Sequence, residues 1–320
     1  MRMRWLVIHL VVATLATAQG RLEILEATII HPEDRRLSAF KYHDAYRDAR
    51  LRVRTVTGAW PPNGLIIELV PDIVALNRIL EAAGAMEVPG WVAGVALPDR
   101  GKIIIRLDLR TPAPERVLGL LTHELCHLVV HAIVKGEDAQ PVPRWLDEGL
   151  AQYAEGRPFS PERPKLAMRA FFRQLISLDE LERSFPRSEG ASGLAYAQAK
   201  SFIDWLARQR VGEPFPELLA HLRDGTTIDD AMHLVFRSPL DVLEDHWRDH
   251  LRSDRSWVPA VLMQLLGGVL LGVATVLGAS RIVARRRRAR ALLERTEDDE
   301  QGNDESAMED RARGPDGERS

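Results

Sequence analysis

Cysteine occurs once in the 320 residues, at Cys126, so an intramolecular disulfide is excluded and so is a zinc site built from several thiolates. No N-x-S/T sequon occurs, and nothing marks the chain for N-glycosylation. A positive excess is missing too. The formal net charge is -3, which removes the global signal of a nucleic-acid-binding protein, and no nucleic-acid partner is expected. No internal repeat is evident. What remains is an ordinary globular composition, 45% hydrophobic, in a chain long enough for one or two domains with a real core. Its richness in Arg and Ala fits a bacterial source.

Long apolar runs are scarce, and apart from one within 111–134 they stand near the two ends. "MRMRWLVIHLVVATLATAQG" begins with Arg2 and Arg4, runs apolar except for His9, and closes on the small-x-small box "ATA" at 16–18. That is the form of a secretory signal peptide over 1–18; an uncleaved anchor is the alternative, and either one exports the adjoining chain. The run near the other end, 257–280, has no charge between Arg255 and Arg281. As a helix it is about 36 Å long, enough to cross a bilayer. The arginines of "RIVARRRRAR" behind it mark the cytoplasmic side, so both ends predict a domain outside and a C-terminus inside. Gly268 and Gly272 form a G-x-x-x-G, which suits a homodimer through this helix as well as it suits glycines facing lipid. The tail over 281–320 is basic and then acidic, with too few apolar residues to fold, and is expected to be disordered in the cytoplasm.

Residues 21–255 are left as one extracytoplasmic unit. "RLRVRTVTG" (50–58) alternates in the manner of a strand, and "GLIIELV" (64–70) is an apolar run between turn signals, hence a second strand. Residues 72–84 carry helical spacing, with an Asp near the start and a closing glycine. "WVAGVALP" and "KIIIRLDL" flank Asp99-Arg100-Gly101 and read as a hairpin. A long apolar helix is expected over 111–134, then a helix over 143–156. Further helices are expected over 163–175, 178–184, 194–210, 215–223, 227–236 and 239–253. Strands first and helices later predict an α+β fold.

The helix over 111–134 contains "LLTHELCHLV", an H-E-x-x-H of His123, Glu124 and His127. Residues four apart share a helix face, so the two imidazoles can grip one ion. Glu124, rotated by about 100°, can reach the edge of that site without coordinating, which suits a base for water. A third protein ligand is needed, and Glu148 in "PRWLDEGLAQY" is the candidate. Trp145, Leu146, Leu150 and Tyr153 would bury that helix, and Gly149 would let its neighbour approach closely. Two histidines and two glutamates among "VLGLL" and "LVVHAIV" are costly to bury without a metal.

H-E-x-x-H, about twenty residues, then W-L-x-E-G-x-A-x-Y resembles the gluzincin metallopeptidases, and among them the peptidase MA-like group. The likeness is local to about residues 90–210. It implies a thermolysin-like core: a small mixed sheet, an active-site helix, a glutamate helix and a helical C-terminal part, here with one C-terminal transmembrane helix. It implies one zinc ion on His123, His127 and Glu148, with Glu124 deprotonating a zinc-activated water, and a peptide or protein substrate. In several gluzincins an acid four residues after the ligand glutamate holds a zinc histidine; Gln152 stands there, bringing an acceptor but no charge. Asp147 is expected to point elsewhere. In that fold a strand edge above the zinc pairs with extended substrate, a role for "WVAGVALP" with Gly94 leaving room; a plain core hairpin is the alternative.

Tyr196 in "GLAYAQAK", expected at the start of a helix behind the loop "SEGASG" (188–193), is the candidate donor to the oxyanion; a half-buried packing role is the alternative. His131 continues the histidine face and is expected beside the ligands. Cys126 is expected to be a small buried apolar residue. Three functions are compatible: a membrane-anchored extracytoplasmic zinc metallopeptidase, a non-catalytic zinc-containing module binding a peptide or envelope partner, and a hydrolase of another amide or ester. Glu124 favours the enzymes, since a module that only binds has no use for it. A protease with its site inside the membrane is disfavoured, because 257–280 holds no ligand-type residue.

Overall fold

The computed structural model describes residues 19–108, 113–156, 163–186, 189–259, 262–263, 266 and 268–286, with the side chains of 189–191 excepted. The expected signal peptide and most of the cytoplasmic tail lie outside the described residues. The chain divides into two compact units at Arg255.

The first unit opens with the hairpin β1 (Gln19–Ile24) and β2 (Ala27–Pro32) and continues into α1 (Arg36–Thr57). β3 (Leu65–Val70) and α2 (Ile73–Ala82) come next, then β4 (Gly94–Leu97) and β5 (Lys102–Arg106). The sheet order is β1-β2-β3-β5-β4, parallel at the centre and antiparallel at both edges. Helices α3 (Pro114–Ile133), α4 (Arg144–Ala154), α5 (Arg163–Phe171), α6 (Leu178–Arg183), α7 (Glu189–Leu206), α8 (Pro214–Arg223), α9 (Ile228–Phe236) and α10 (Leu240–Ser253) complete the unit. It is the expected α+β architecture with a small mixed sheet and a helical C-terminal part.

Residues 50–58 are not a strand. They are the last two turns of α1, closed by Gly58 at φ +76°. The alternation is a short-window effect. Buried Tyr42, Tyr46, Ala49, Val53 and Val56 recur every three or four residues, while Leu51 is exposed. This face packs on α3, and burial outweighs the poor helix propensity of the Val and Thr residues. Strands therefore do not simply precede helices: α1 carries the chain between the parallel strands β2 and β3, and α2 lies between β3 and the β4–β5 hairpin. The hairpin forms as expected, with Gly101 at φ +56° in its turn, and Asp72 caps α2 by accepting from the Ala75 N–H at 2.9 Å.

α3 is apolar enough to cross a membrane, yet more than half of it is buried inside this unit. It is the core helix, covered by α1, α4 and the sheet edge. α4 is pinned by Trp145, Leu146 and Leu150, all fully buried, with Trp145 edge-on to Phe202 of α7 at 5.4 Å. Tyr153 is only half-buried, against Phe215 at 5.6 Å. A Cβ on Gly149 would lie 2.6 Å from Ile203 Cγ1 and 2.9 Å from the Ala199 carbonyl oxygen. Backbone cannot yield as a flexible side chain does, so Gly149→Ala is expected to destabilise the domain by about 1–3 kcal/mol, read as a lowered denaturation midpoint. An unchanged midpoint would show that α7 can slide freely.

Among the described residues of the second unit, Gly268–Arg286 is a helix long and apolar enough to cross a membrane, and it runs past the expected end of the span at 280. The G-x-x-x-G glycines lie on it.

Candidate metal centre

His123 and His127 project side by side from α3, their rings 4.8 Å apart at an interplanar angle of 80°. Their Nε2 atoms face each other at 3.1 Å. Glu148 of α4 is buried and sets its Oε2 at 3.6 Å from each of these nitrogens, too far to be a good hydrogen bond. That oxygen has no hydrogen-bond partner. The expected triangle of two imidazoles and one carboxylate is thus present.

The protons on the rings are fixed by the outer contacts. His123 Nδ1 lies 2.8 Å from Glu155 Oε1. His127 Nδ1 lies 2.9 Å from Asp147 Oδ1, while Asp147 Oδ2 reaches His131 Nε2 at 3.2 Å. A carboxylate can only accept, so a neutral His123 ring with its proton on Nδ1 toward Glu155 presents its lone pair at Nε2, and the ion pair with Asp147 favours the same tautomer for His127. Two lone pairs at 3.1 Å, with a carboxylate oxygen alongside, repel unless a cation sits between them. A point equidistant from the corners of this triangle lies about 2.0 Å from each, within the range of zinc–nitrogen and zinc–oxygen bonds. The donor set fits a divalent metal of the zinc type.

The electrostatics agree. Burial alone would depress the His127 pKa, but Asp147 and Glu148 outweigh it and raise it to about 9. His123 is likewise raised well above its ordinary value, burial being overcome by Glu148, Glu155 and Glu124. Burial would raise Glu148, yet His123 and His127 hold it below the usual carboxylate range. The pocket has surplus negative charge that attracts cations, whether protons or a metal.

Two expectations are corrected. Gln152 lines the cleft, but Glu155 holds His123. Glu155 lies seven residues beyond Glu148, nearly two whole turns, and so stays on the same face; the register of α4 against α3 brings it, rather than position 152, to the ring. Asp147 does not point away. α3 covers a stripe of α4 wide enough to include adjacent positions 147 and 148, and Asp147 pairs with both His127 and His131. The signal that could have found both was the acidic spacing Asp147, Glu148, Glu155. Because carboxylates that hold ligand imidazoles sustain their basicity, Asp147→Asn is expected to weaken metal affinity about 10–100-fold in a competition titration with a chromogenic chelator. An unchanged affinity would show that Asp147 contributes nothing through His127.

Glu124 is buried beside the histidines, against the edge strand β4. Burial raises its pKa, a shift that His123 and His127 only partly oppose. A Cβ on Gly94 would come within 3.1 Å of the Glu124 carboxyl, so glycine allows this close approach. Arg106 N–H donates to the Ala93 carbonyl at 3.1 Å. By the register of β4 against β5, Val95 and Leu97 then face β5, while Gly94 and Ala96 turn their backbone groups outward. The loop before β4 is tied down: Arg106 donates to the Gly90 carbonyl at 2.6 Å, and both ends of the Asn77 amide bond to Val88. Together these elements border an open cleft of about 1240 Å³ with the histidines and Glu124 in its wall.

Tyr196 lines the same cleft, but from inside α7, two turns after its start at Glu189, not at a helix N-terminus. Its ring packs on Phe185 at 5.1 Å, and the Arg144 guanidinium covers Phe185 at 4.9 Å. Burial and then Glu148 push the phenol up to about 12, and the positive charge of Arg144 opposes them. Cys126 is fully buried in the core.

No curated protein matches the chain. The family model of the peptidase MA superfamily matches residues 48–253, from the second half of α1 to the end of α10. That match covers more than half of the sequence and includes every element that builds the metal centre, so the chain belongs to the peptidase MA superfamily.

Proposed function

We propose that the protein is a membrane-anchored, extracytoplasmic zinc metallopeptidase. The observation that carries this reading is the convergence of His123 Nε2, His127 Nε2 and Glu148 Oε2, with Glu124 beside them. His123, His127 and Glu148 would hold the ion, which when bound supplies Lewis acidity toward a water and the scissile carbonyl. Glu124, made more basic by its burial, takes a proton from the attacking water and delivers it to the leaving amine. Tyr196, whose phenol keeps its proton well above neutral pH and lines the cleft, donates that hydrogen to the carbonyl oxygen as that oxygen gains charge. The outward backbone groups of β4 offer main-chain pairing to an extended peptide. The apolar run at 257–280 and the arginines after it support anchoring with the catalytic domain outside.

The test uses the full chain in detergent, stripped of metal, reloaded with zinc and presented with a peptide library. Zinc-dependent cleavage is expected. A chain that binds one zinc and cleaves no peptide favours the binding module; one that cleaves only simple esters or other amides favours the third function.

A further inference from the structure

The charges of the cleft are sorted. Glu124, Asp147, Glu148 and Glu155 gather around the histidines. Lys41, in the second turn of α1, and Arg116, in the first turn of α3, line the same cleft. β2, β3 and β5 are parallel, α1 follows β2 and α3 follows β5, so the two helices begin at the same end of the sheet, and they pack on each other. Both side chains are exposed, and among the described residues no hydrogen bond or ion pair engages the Lys41 ammonium or the Arg116 guanidinium. Neighbouring cations of the cleft are committed: Arg106 to Asp108 at 2.7 Å and to the Gly90 carbonyl, and Arg35 to Asp34 at 3.3 Å. The acid that lines the cleft away from the histidines is Glu87, on the loop before β4, and one carboxylate does not balance two cations.

We propose that Lys41 and Arg116 form a subsite for a carboxylate of the peptide substrate. Arg116 precedes His123 by seven residues, almost two whole turns, so the two share a face of α3 and lie about 10.5 Å apart along its axis. An extended peptide advances about 3.3 Å per residue, which places the bound carboxylate about two to four residues from the bond at the metal centre, on one side of it. The guanidinium offers a planar fork to the two carboxylate oxygens, and the ammonium adds a point charge. The carboxylates around the histidines repel an acidic side chain next to the bond, so the same cleft that accepts an acid at a distance disfavours one close by. The ligand chemistry is shared by an Asp or Glu side chain and by a peptide's terminal carboxylate. The proposal rests on the metallopeptidase reading for the position of the cleaved bond but not for the binding itself.

Binding therefore provides the test. The full-length Glu124→Gln chain, in detergent and loaded with zinc, is titrated into short fluorophore-labelled peptides with amidated C-termini, in which a single Glu is scanned through a Gln-containing sequence. Anisotropy is expected to show binding roughly tenfold tighter for Glu than for Gln at one or two adjacent positions, the order given by one or two exposed charge pairs, and to show that gain fading with added salt. Adding Arg116→Glu or Lys41→Glu should abolish the gain and make Lys the preferred residue at the same position, a reversal that damage to the fold does not produce. A gain that follows a free C-terminus in place of the Glu side chain identifies the terminal carboxylate as the ligand and supports the subsite equally. Equal binding of Glu and Gln peptides at every position, binding of no peptide, or a Glu preference that survives both charge reversals overturns the proposal. Cleavage by the zinc-loaded wild type separates the two readings: acid-preferring binding without cleavage of any peptide overturns the peptidase alone, whereas cleavage without an acid preference overturns the subsite alone.

Discussion

Replacing Glu124 with Gln is expected to leave one zinc bound per chain and to lower kcat/KM for peptide hydrolysis by roughly 10²–10⁴-fold or more. Both halves come from the geometry. Glu124 is not a corner of the triangle formed by His123, His127 and Glu148, so the metal loses no ligand. The amide has the shape of the carboxyl, so the packing against Gly94 and β4 is retained. What disappears is the ability to take a proton. Metal analysis and steady-state kinetics on the same preparation read the two halves separately. Undiminished turnover with zinc in place would remove Glu124 from the chemistry and move attention to another base in the cleft.

Glu148→Ala is expected to release the metal. Two imidazoles alone leave the ion short of the third protein ligand that such a site needs, and zinc content should fall from one per chain toward zero after dialysis. Stability separates this outcome from simple misfolding. On the proposed reading, zinc at about a thousand times its Kd would add about 4 kcal/mol to the folded wild type, so a chelator should lower Tm substantially. In the variant the chelator should change nothing. Metal-free variant should be somewhat less stable than metal-free wild type, because Glu148 pairs with His123 and His127, which hold its pKa down, so the diagnostic is the missing response to chelator and not the absolute Tm. Full zinc occupancy in the variant would strike Glu148 from the ligand set.

Much of the site was legible because its residues are local. His123, Glu124 and His127 lie within five residues of one helix, and the helical period alone sets their mutual directions. Glu148 was legible from its motif, including Gly149, whose missing side chain the contact with α7 requires. Residues 50–58 misled because α1 is held by burial against α3, a contact between distant segments that a nine-residue window does not contain. The roles of Asp147 and Glu155 were missed for a related reason. Helical spacing says which residues of α4 share a face, but it does not say how α4 is rotated against α3.

By itself, then, the order of residues determined a pair of imidazoles on one face of an apolar helix, a carboxylate in the motif that follows, and an apolar run near each end. Tertiary structure decided which carboxylates orient the imidazoles, how far Tyr196 lies inside α7, and which strand edge borders the cleft. The division has a physical origin: direction along a helix is set by a fixed rotation per residue, whereas the register between two packed helices is set by side chains far apart in sequence filling the same space.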